Sequence, residues 1–220
     1  MNNEDYITVA LPKGKLFSLS SELFKKVGFT AENLTEKSRK LVITNEDLKL
    51  KFIITKTADV PTFVEYGAAD IGIIGKDVIE ESGKDIYELL DLGFGKCHLM
   101  MAVPKDKKRD KLEDYSHTRV ATKFPHTAEK FFTSRGMQME YIKLNGSIEL
   151  GPIIGLSESI VDIVETGTTL RENNLEEIVS IMDATARLIA NRVSYKLKFD
   201  RINKLVTDLK KVLDEEAKND

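Results

Sequence analysis

Cysteine is almost missing from this chain of 220 residues: Cys97 stands alone, so no internal disulfide framework can form, which suits a reducing compartment. Histidine is nearly as scarce. His98, His117 and His126 lie scattered, without ligand spacing to one another or to Cys97, which argues against a structural metal site. No apolar run is long enough to span a bilayer, and the start "MNNEDYITVALPKGK" lacks the basic residues and apolar stretch of a secretory leader. Charge of one sign does not dominate either. The net charge is -3, and the basic patch from Lys105 to Lys111 is answered by nearby acids, so neither a nucleic-acid face nor a membrane face is implied. No serine sits in a Gly-x-Ser-x-Gly elbow, which leaves covalent hydrolase chemistry without a nucleophile. What remains is a globular chain, 41% hydrophobic, long enough for one large or two modest domains, with a cytoplasmic location as the expectation.

Strand-like runs recur along it: "YITVAL" (6 to 11), "KLVITN" (40 to 45), "LKLKFIIT" (48 to 55), "DIGIIG" (70 to 75), "CHLMMAV" (97 to 103), "RVAT" (119 to 122), "EYIKL" (140 to 144) and "IVDIV" (160 to 164). Helical patterns lie between most of them, such as "LFSLSSELFKKVG", ended by Gly28, and "TAEKFFTSRG", ended by Gly136. The alternation predicts an α/β protein with parallel sheets. It breaks once, around "DLGFGKCHLMMAVPKDKKRD", the candidate crossing between two domains. Near the C-terminus, Ile202, Leu205, Val206, Leu209, Val212 and Leu213 keep helical spacing and predict a helix that faces the core or another subunit.

Two nucleotide signatures fail. Gly93-Phe-Gly95 lacks the third glycine of a dinucleotide fingerprint and precedes a strand, while Gly75-Lys76 is followed by Asp77 where a P-loop needs a hydroxyl. "VDIVETGTTLREN" is different. A loop of small residues between strand and helix turns successive N–H groups inward as an anion nest, and the hydroxyls of Thr166, Thr168 and Thr169 around Gly167 add donors, which suits a phosphate. Carboxylates cannot hold a phosphate, so Asp162 and Glu165 fit a second task, accepting hydrogen bonds from the vicinal hydroxyls of a sugar. The alternative is an ordinary turn in which the acids cap the next helix. A second strand-to-helix loop carries Lys13, Gly14 and Lys15, where the helix macrodipole disfavours lysine unless an anion is present. Lys123, at another strand end, is a possible further phosphate contact. Asp70-Ile-Gly-Ile-Ile-Gly75 and Asp162-Ile-Val-Glu-Thr-Gly167 echo each other, which suggests that both halves present a loop to one cleft.

Taken in order, "ITVALPKGKL", "ADVPTFVEYGAADIGIIGKDVIEE", "YELLDLGFGKCHLMMAVP", "RVATKFP", "IKLNGSIELGPIIGLSESIVDIVETGTTLREN" and "TARLIANRVSYK" resemble the ATP phosphoribosyltransferase family, the first enzymes of histidine biosynthesis. The resemblance runs from Ile7 to Lys196, and the length is that of the family's short form, which works with a separate regulatory subunit related to histidyl-tRNA synthetase. It implies two α/β domains around a cleft, similar to type II periplasmic binding proteins: domain I from residues 1–93 plus 180–220, domain II from 94–179 carrying the donor loop. It further implies 5-phosphoribosyl-1-diphosphate at Asp162, Glu165, Thr166, Gly167, Thr168 and Thr169, ATP near Lys13, Gly14, Lys15 and Asp70, and Mg2+ held mainly by the substrate diphosphate. No organic cofactor, nucleic acid or membrane partner is implied, and homo-oligomers as well as hetero-oligomers with the regulatory subunit are. The family usually has arginine where Lys15 stands, and lysine keeps the charge but not the bidentate fork. Rival readings are a bilobal small-molecule receptor and a phosphoribosyltransferase for another acceptor.

Overall fold

The computed structural model describes residues 6–31, 34, 35, 38 and 40–218; the polar start read above, residues 1–5, lies outside the described residues. Strand β1 (Ile7–Pro12) is buried along its whole length, as an uninterrupted apolar run requires. It leads into α1 (Lys15–Lys26), whose Phe17, Ser20, Leu23 and Phe24 fall three and four apart and make its buried face. Then come β2 (Val42–Asn45), β3 (Leu50–Thr55), α2 (Val60–Glu65), β4 (Ile71–Gly75), α3 (Lys76–Ser82) and β5 (Tyr87–Asp91). They are followed by β6 (Cys97–Pro104), β7 (Arg119–Thr122), α4 (Pro125–Thr133), β8 (Glu140–Lys143), α5 (Leu150–Ile153), β9 (Ser159–Val164), α6 (Thr168–Glu172) and β10 (Leu175–Ala184). The chain ends with β11 (Ala186–Ala190), α7 (Arg192–Leu197) and α8 (Phe199–Glu216).

These elements form two compact units, Met1–Gly95 with Thr185–Asp220, and Lys96–Ala184. A boundary at 179/180 would cut β10, which stays paired with β6 as far as Ala184 opposite Cys97, so the second division falls after that strand.

In the first unit the strand order is β2-β3-β1-β4-β11-β5. β1 runs parallel to β3 and β4, while β2, β11 and β5 run antiparallel to their neighbours. In the second unit the order is β10-β6-β9-β7-β8, with β7 parallel to β8 and β9 and with β6 antiparallel to both β9 and β10. The sheets are therefore mixed, not parallel as expected. Parallel pairing needs a crossover element, and the short turn between β2 and β3 does not supply one.

Each sheet is covered on both faces. Ile202, Leu205 and Leu209 of α8 are buried with β1, β3 and β4 residues in the first unit's larger cluster, so this helix faces the core. Burying such side chains stabilises by about 1.5–3 kcal/mol each. On the other face α2 approaches closely because Gly72 has no side chain: a Cβ there would sit 3.0 Å from methyl carbons of Val60 and Val64. In the second unit β9 divides two clusters, one around Phe124, Phe132 and Val161, the other around Ala121, Ile160, Val164, Leu170 and Leu175.

Candidate functional site

Strand β9 occupies the middle of the second unit's sheet, and its side chains alternate between the two faces. Ile160 and Val164 face the cluster that also holds Leu170 and Leu175, and the alternation puts Asp162 between them on that face. Beyond Val164 the chain turns through Glu165, Thr166 and Gly167 into α6. Gly167 has φ +70, a left-handed conformation that a side chain disfavours. A Cβ there would also stand 3.1 Å from Arg171 Nη1 and 3.3 Å from Glu177 Oε1. The first hydrogen bond of α6 runs from Arg171 N to Gly167 O at 3.1 Å, so the N–H groups of Thr168, Thr169 and Leu170 lie ahead of it. Leu170, buried, pins the short helix to the core.

Glu149, Asp162, Ile163, Val164, Glu165, Thr166, Gly167, Thr168, Thr169 and Leu170 line a cavity of about 280 Å³. Thr166 and Thr168 hydroxyl oxygens lie 3.2 Å apart, and Arg171 Nη2 donates to Thr168 Oγ1 at 3.1 Å. Asp162 Oδ1 accepts from Ile163 N at 2.8 Å. Burial raises the Asp162 pKa above the ordinary aspartate value, and the Glu149 charge adds to that, while the Ile163 N–H and the Lys123 charge pull the other way. The cavity thus offers N–H and O–H donors at the turn and acceptor carboxylates beside it, the polarity needed for an anion joined to a diol.

Lys123 follows β7, whose Thr122 is level with Val161 of β9, which brings its exposed ammonium close enough to act on Asp162. Buried Thr122 holds that edge: its hydroxyl donates to Val161 O at 2.7 Å and accepts from Phe124 N at 2.9 Å. Sequence reasoning missed Glu149, Arg171 and Glu177. Glu149 is brought in by α5 and carries no local signature, whereas Arg171 stands inside the quoted stretch, four residues past Gly167 on the same helical turn.

The expected ATP residues separate. Lys13 and Lys15 are exposed at the end of β1, and Gly14 between them adopts φ 87, ψ -154, a region open essentially to glycine alone. Asp70 is buried instead. Its carboxylate accepts from Thr8 N at 2.7 Å and from Lys198 Nζ at 2.8 and 2.9 Å. Thr8 lies five residues before Lys13 on β1, about 16 Å along the strand. Asp70 therefore lies at the other end of β1 from Lys13 and staples β1 and β4 to the α7–α8 junction. The echo between the halves fails for the same reason, since Asp70 precedes β4 whereas Asp162 lies near the end of β9.

Two α/β units with mixed sheets, one bearing a turn rich in hydroxyls and helix-start amides at a strand's carboxyl end, define a protein of the type II periplasmic-binding-protein fold class. The chain is similar to the solved structures of Tv2483 bound to L-arginine (TM-score 0.64, 11% identity, 98% of this chain and 86% of that one) and of the substrate binding protein of an amino acid ABC transporter (TM-score 0.60, 15%, 96% and 96%), likenesses that bear on the fold alone. Sequence narrows the class. Residues 56–211 match the family model described as ATP phosphoribosyltransferase. Relatives named ATP phosphoribosyltransferase from Syntrophotalea carbinolica (52% identical over 217 residues, 98% of this chain and 99% of that protein) and Desulfitobacterium hafniense (52% over 216 residues, 95% and 97%) match nearly end to end. The ATP phosphoribosyl transferase (HisG:HisZ) complex from Thermotoga maritima contains a chain similar to this one at 32% identity and TM-score 0.82, over 95% of this chain and 99% of that one. The chain belongs to the ATP phosphoribosyltransferase family.

Proposed function

We propose that this chain transfers the phosphoribosyl group of 5-phosphoribosyl-1-diphosphate to N1 of ATP, releasing diphosphate, as the first step of histidine biosynthesis. The observation that carries the reading is the turn at 165–169 beside Asp162, in a chain of that family. In this reading the 5-phosphate accepts hydrogen bonds from the first N–H groups of α6 and from the threonine hydroxyls, while Asp162 and Glu165 accept from the ribose hydroxyls. Lys13, Gly14 and Lys15 take the ATP phosphates; Lys123 adds a cation on the donor side.

The adenine N1 lone pair attacks the anomeric carbon, the bond from that carbon to the diphosphate oxygen breaks, and its electron pair leaves with diphosphate. No base is needed for the attack, because N1 carries no proton. The residues therefore act by aligning two anionic substrates and by fixing charge around an oxocarbenium-like ring. Among the described residues no group of three or more His, Cys, Asp or Glu side chains is placed to hold a metal ion. The residues present fit a magnesium ion ligated chiefly by substrate oxygens and water. When bound, it offsets the charge of the departing diphosphate.

The Thermotoga maritima complex pairs its HisG with HisZ. That likeness supports a HisZ-like partner for this chain; the finer proposals are that the partner is a regulatory subunit related to histidyl-tRNA synthetase, that the chain also assembles with copies of itself, and that it works in the cytoplasm. No helix of the described residues is long and apolar enough to cross a membrane. The test is incubation of the purified chain, alone and with such a subunit, with ATP, the donor and magnesium, reading diphosphate release and the mass of phosphoribosyl-ATP. Absence of that mass in both mixtures, or transfer to another base or amine in preference to ATP, refutes the proposal.

A further inference from the structure

Arg171 grips the phosphate turn from outside. Its backbone N–H donates to Gly167 O at 3.1 Å, its Nη2 donates to Thr168 Oγ1 at 3.1 Å, and its Nη1 lies 3.1 Å from where a Cβ on Gly167 would stand. Gly167 itself makes no side-chain cap for α6. A guanidinium only donates, so Thr168 must accept from it, and the single hydroxyl hydrogen of Thr168 is directed elsewhere. Thr166 Oγ1, 3.2 Å away, is the partner at hand, and a bound phosphate oxygen is the stronger acceptor. Without the guanidinium the Thr168 oxygen is free to accept from the Thr166 hydroxyl, and its own hydrogen is no longer fixed as a donor to a ligand.

We infer that Arg171 is a positioning residue: it holds the Thr168 hydroxyl as a donor aimed at the incoming sugar phosphate, and so sets the affinity of the turn without touching the reacting atoms. The inference rests on the proposed use of the turn by phosphoribosyl diphosphate. It predicts that Arg171 acts through Thr168 and on binding, not on the chemical step.

A double-mutant cycle with R171Q, T168V and R171Q/T168V, assayed by KM and kcat for the donor with ATP saturating, tests it. R171Q raises the donor KM about three- to tenfold, the net worth of the one ordinary hydrogen bond that the Thr168 hydroxyl gives the phosphate, and leaves kcat within about twofold. The double variant is no weaker than T168V alone. An unchanged KM in R171Q, a parallel fall in kcat, or effects that multiply in the double variant overturn the inference, the last by showing that the guanidinium meets the phosphate directly or supports the fold. R171M supplies the same cycle should R171Q not fold. A wild-type chain without donor-dependent turnover sinks the proposed function; a working wild type with a multiplicative cycle sinks only the role of Arg171.

Discussion

Replacing Lys198 by methionine tests what Asp70 is for. Asp70 and Lys198 side chains are 7% and 18% exposed, and the ammonium bridges both carboxylate oxygens and Tyr6 O, the last at 2.5 Å. In Lys198→Met the carboxylate keeps the Thr8 N–H and loses its counter-charge. Breaking a buried pair from one side costs about 3–5 kcal/mol, because the remaining charge stays desolvated. Water reaches part of Lys198, which favours the lower end, about 3 kcal/mol. At roughly 2–4 °C per kcal/mol for a chain of this length, the Tm falls by about 6–12 °C. Asp70→Asn combined with Lys198→Met removes both charges while the amide oxygen still accepts from Thr8, and it recovers most of the loss. Thermal unfolding followed by circular dichroism at pH 7, with KM for ATP measured well below the transition, reads both effects. The structural assignment predicts an ATP KM within about twofold of wild type in both variants. An unchanged Tm together with a tenfold rise in ATP KM would refute it and return Asp70 to the nucleotide.

Three other outcomes follow from the site. Glu165→Ala raises the donor KM or lowers turnover by an order of magnitude or more, and near-normal kinetics remove Glu165 from the ribose. For Asp162 the folded pKa lies above the unfolded one, so the folded state takes up the proton first as pH falls; its destabilisation is full above the folded pKa and is relieved as pH drops through it. Donor binding needs the ionised form, so the donor KM rises on an acid limb above the ordinary aspartate range, and Asp162→Asn abolishes that limb while making the protein more stable at neutral pH; a limb that survives the substitution belongs to another group. Lys13→Gln and Lys15→Gln each raise the ATP KM severalfold and leave the donor KM unchanged, whereas a shift in the donor KM alone would move these lysines to the other substrate.

Strand positions were legible where β-branched and other apolar residues dominate a short run, as in β1 and β9, and illegible where the sheet departs from regular pleating. In β10 the apolar residues Leu175, Ile178, Val179 and Met182 fall at helical spacing, yet the segment is a strand. Two register shifts against β6, between Glu177 and Val179 and between Ser180 and Met182, insert extra residues and reset the alternation. A bulged strand therefore imitates a helix in any pattern that counts residues. β5 failed differently: as a five-residue edge strand, half-buried, it has only one neighbour to require apolar side chains, and Glu88 and Asp91 sit in it exposed.

The site divides along the same line. Residues 165–169 could be read because the chemistry is contiguous: a left-handed glycine, flanking hydroxyls and helix-start amides occur together in one turn. Glu149 could not, because it reaches the cavity through the fold of α5 and carries no local pattern that says so. Asp70 shows why residue type alone misleads. An aspartate, an apolar strand and a glycine describe both Asp70 and Asp162, but the pattern does not say at which end of the strand the carboxylate stands. Ahead of β4, Asp70 meets the buried start of β1 and needs Lys198; near the carboxyl end of β9, Asp162 reaches the edge where the strand gives way to the turn into α6. Where the strand begins and ends relative to the aspartate decides which of two similar motifs becomes a staple and which lines a cavity.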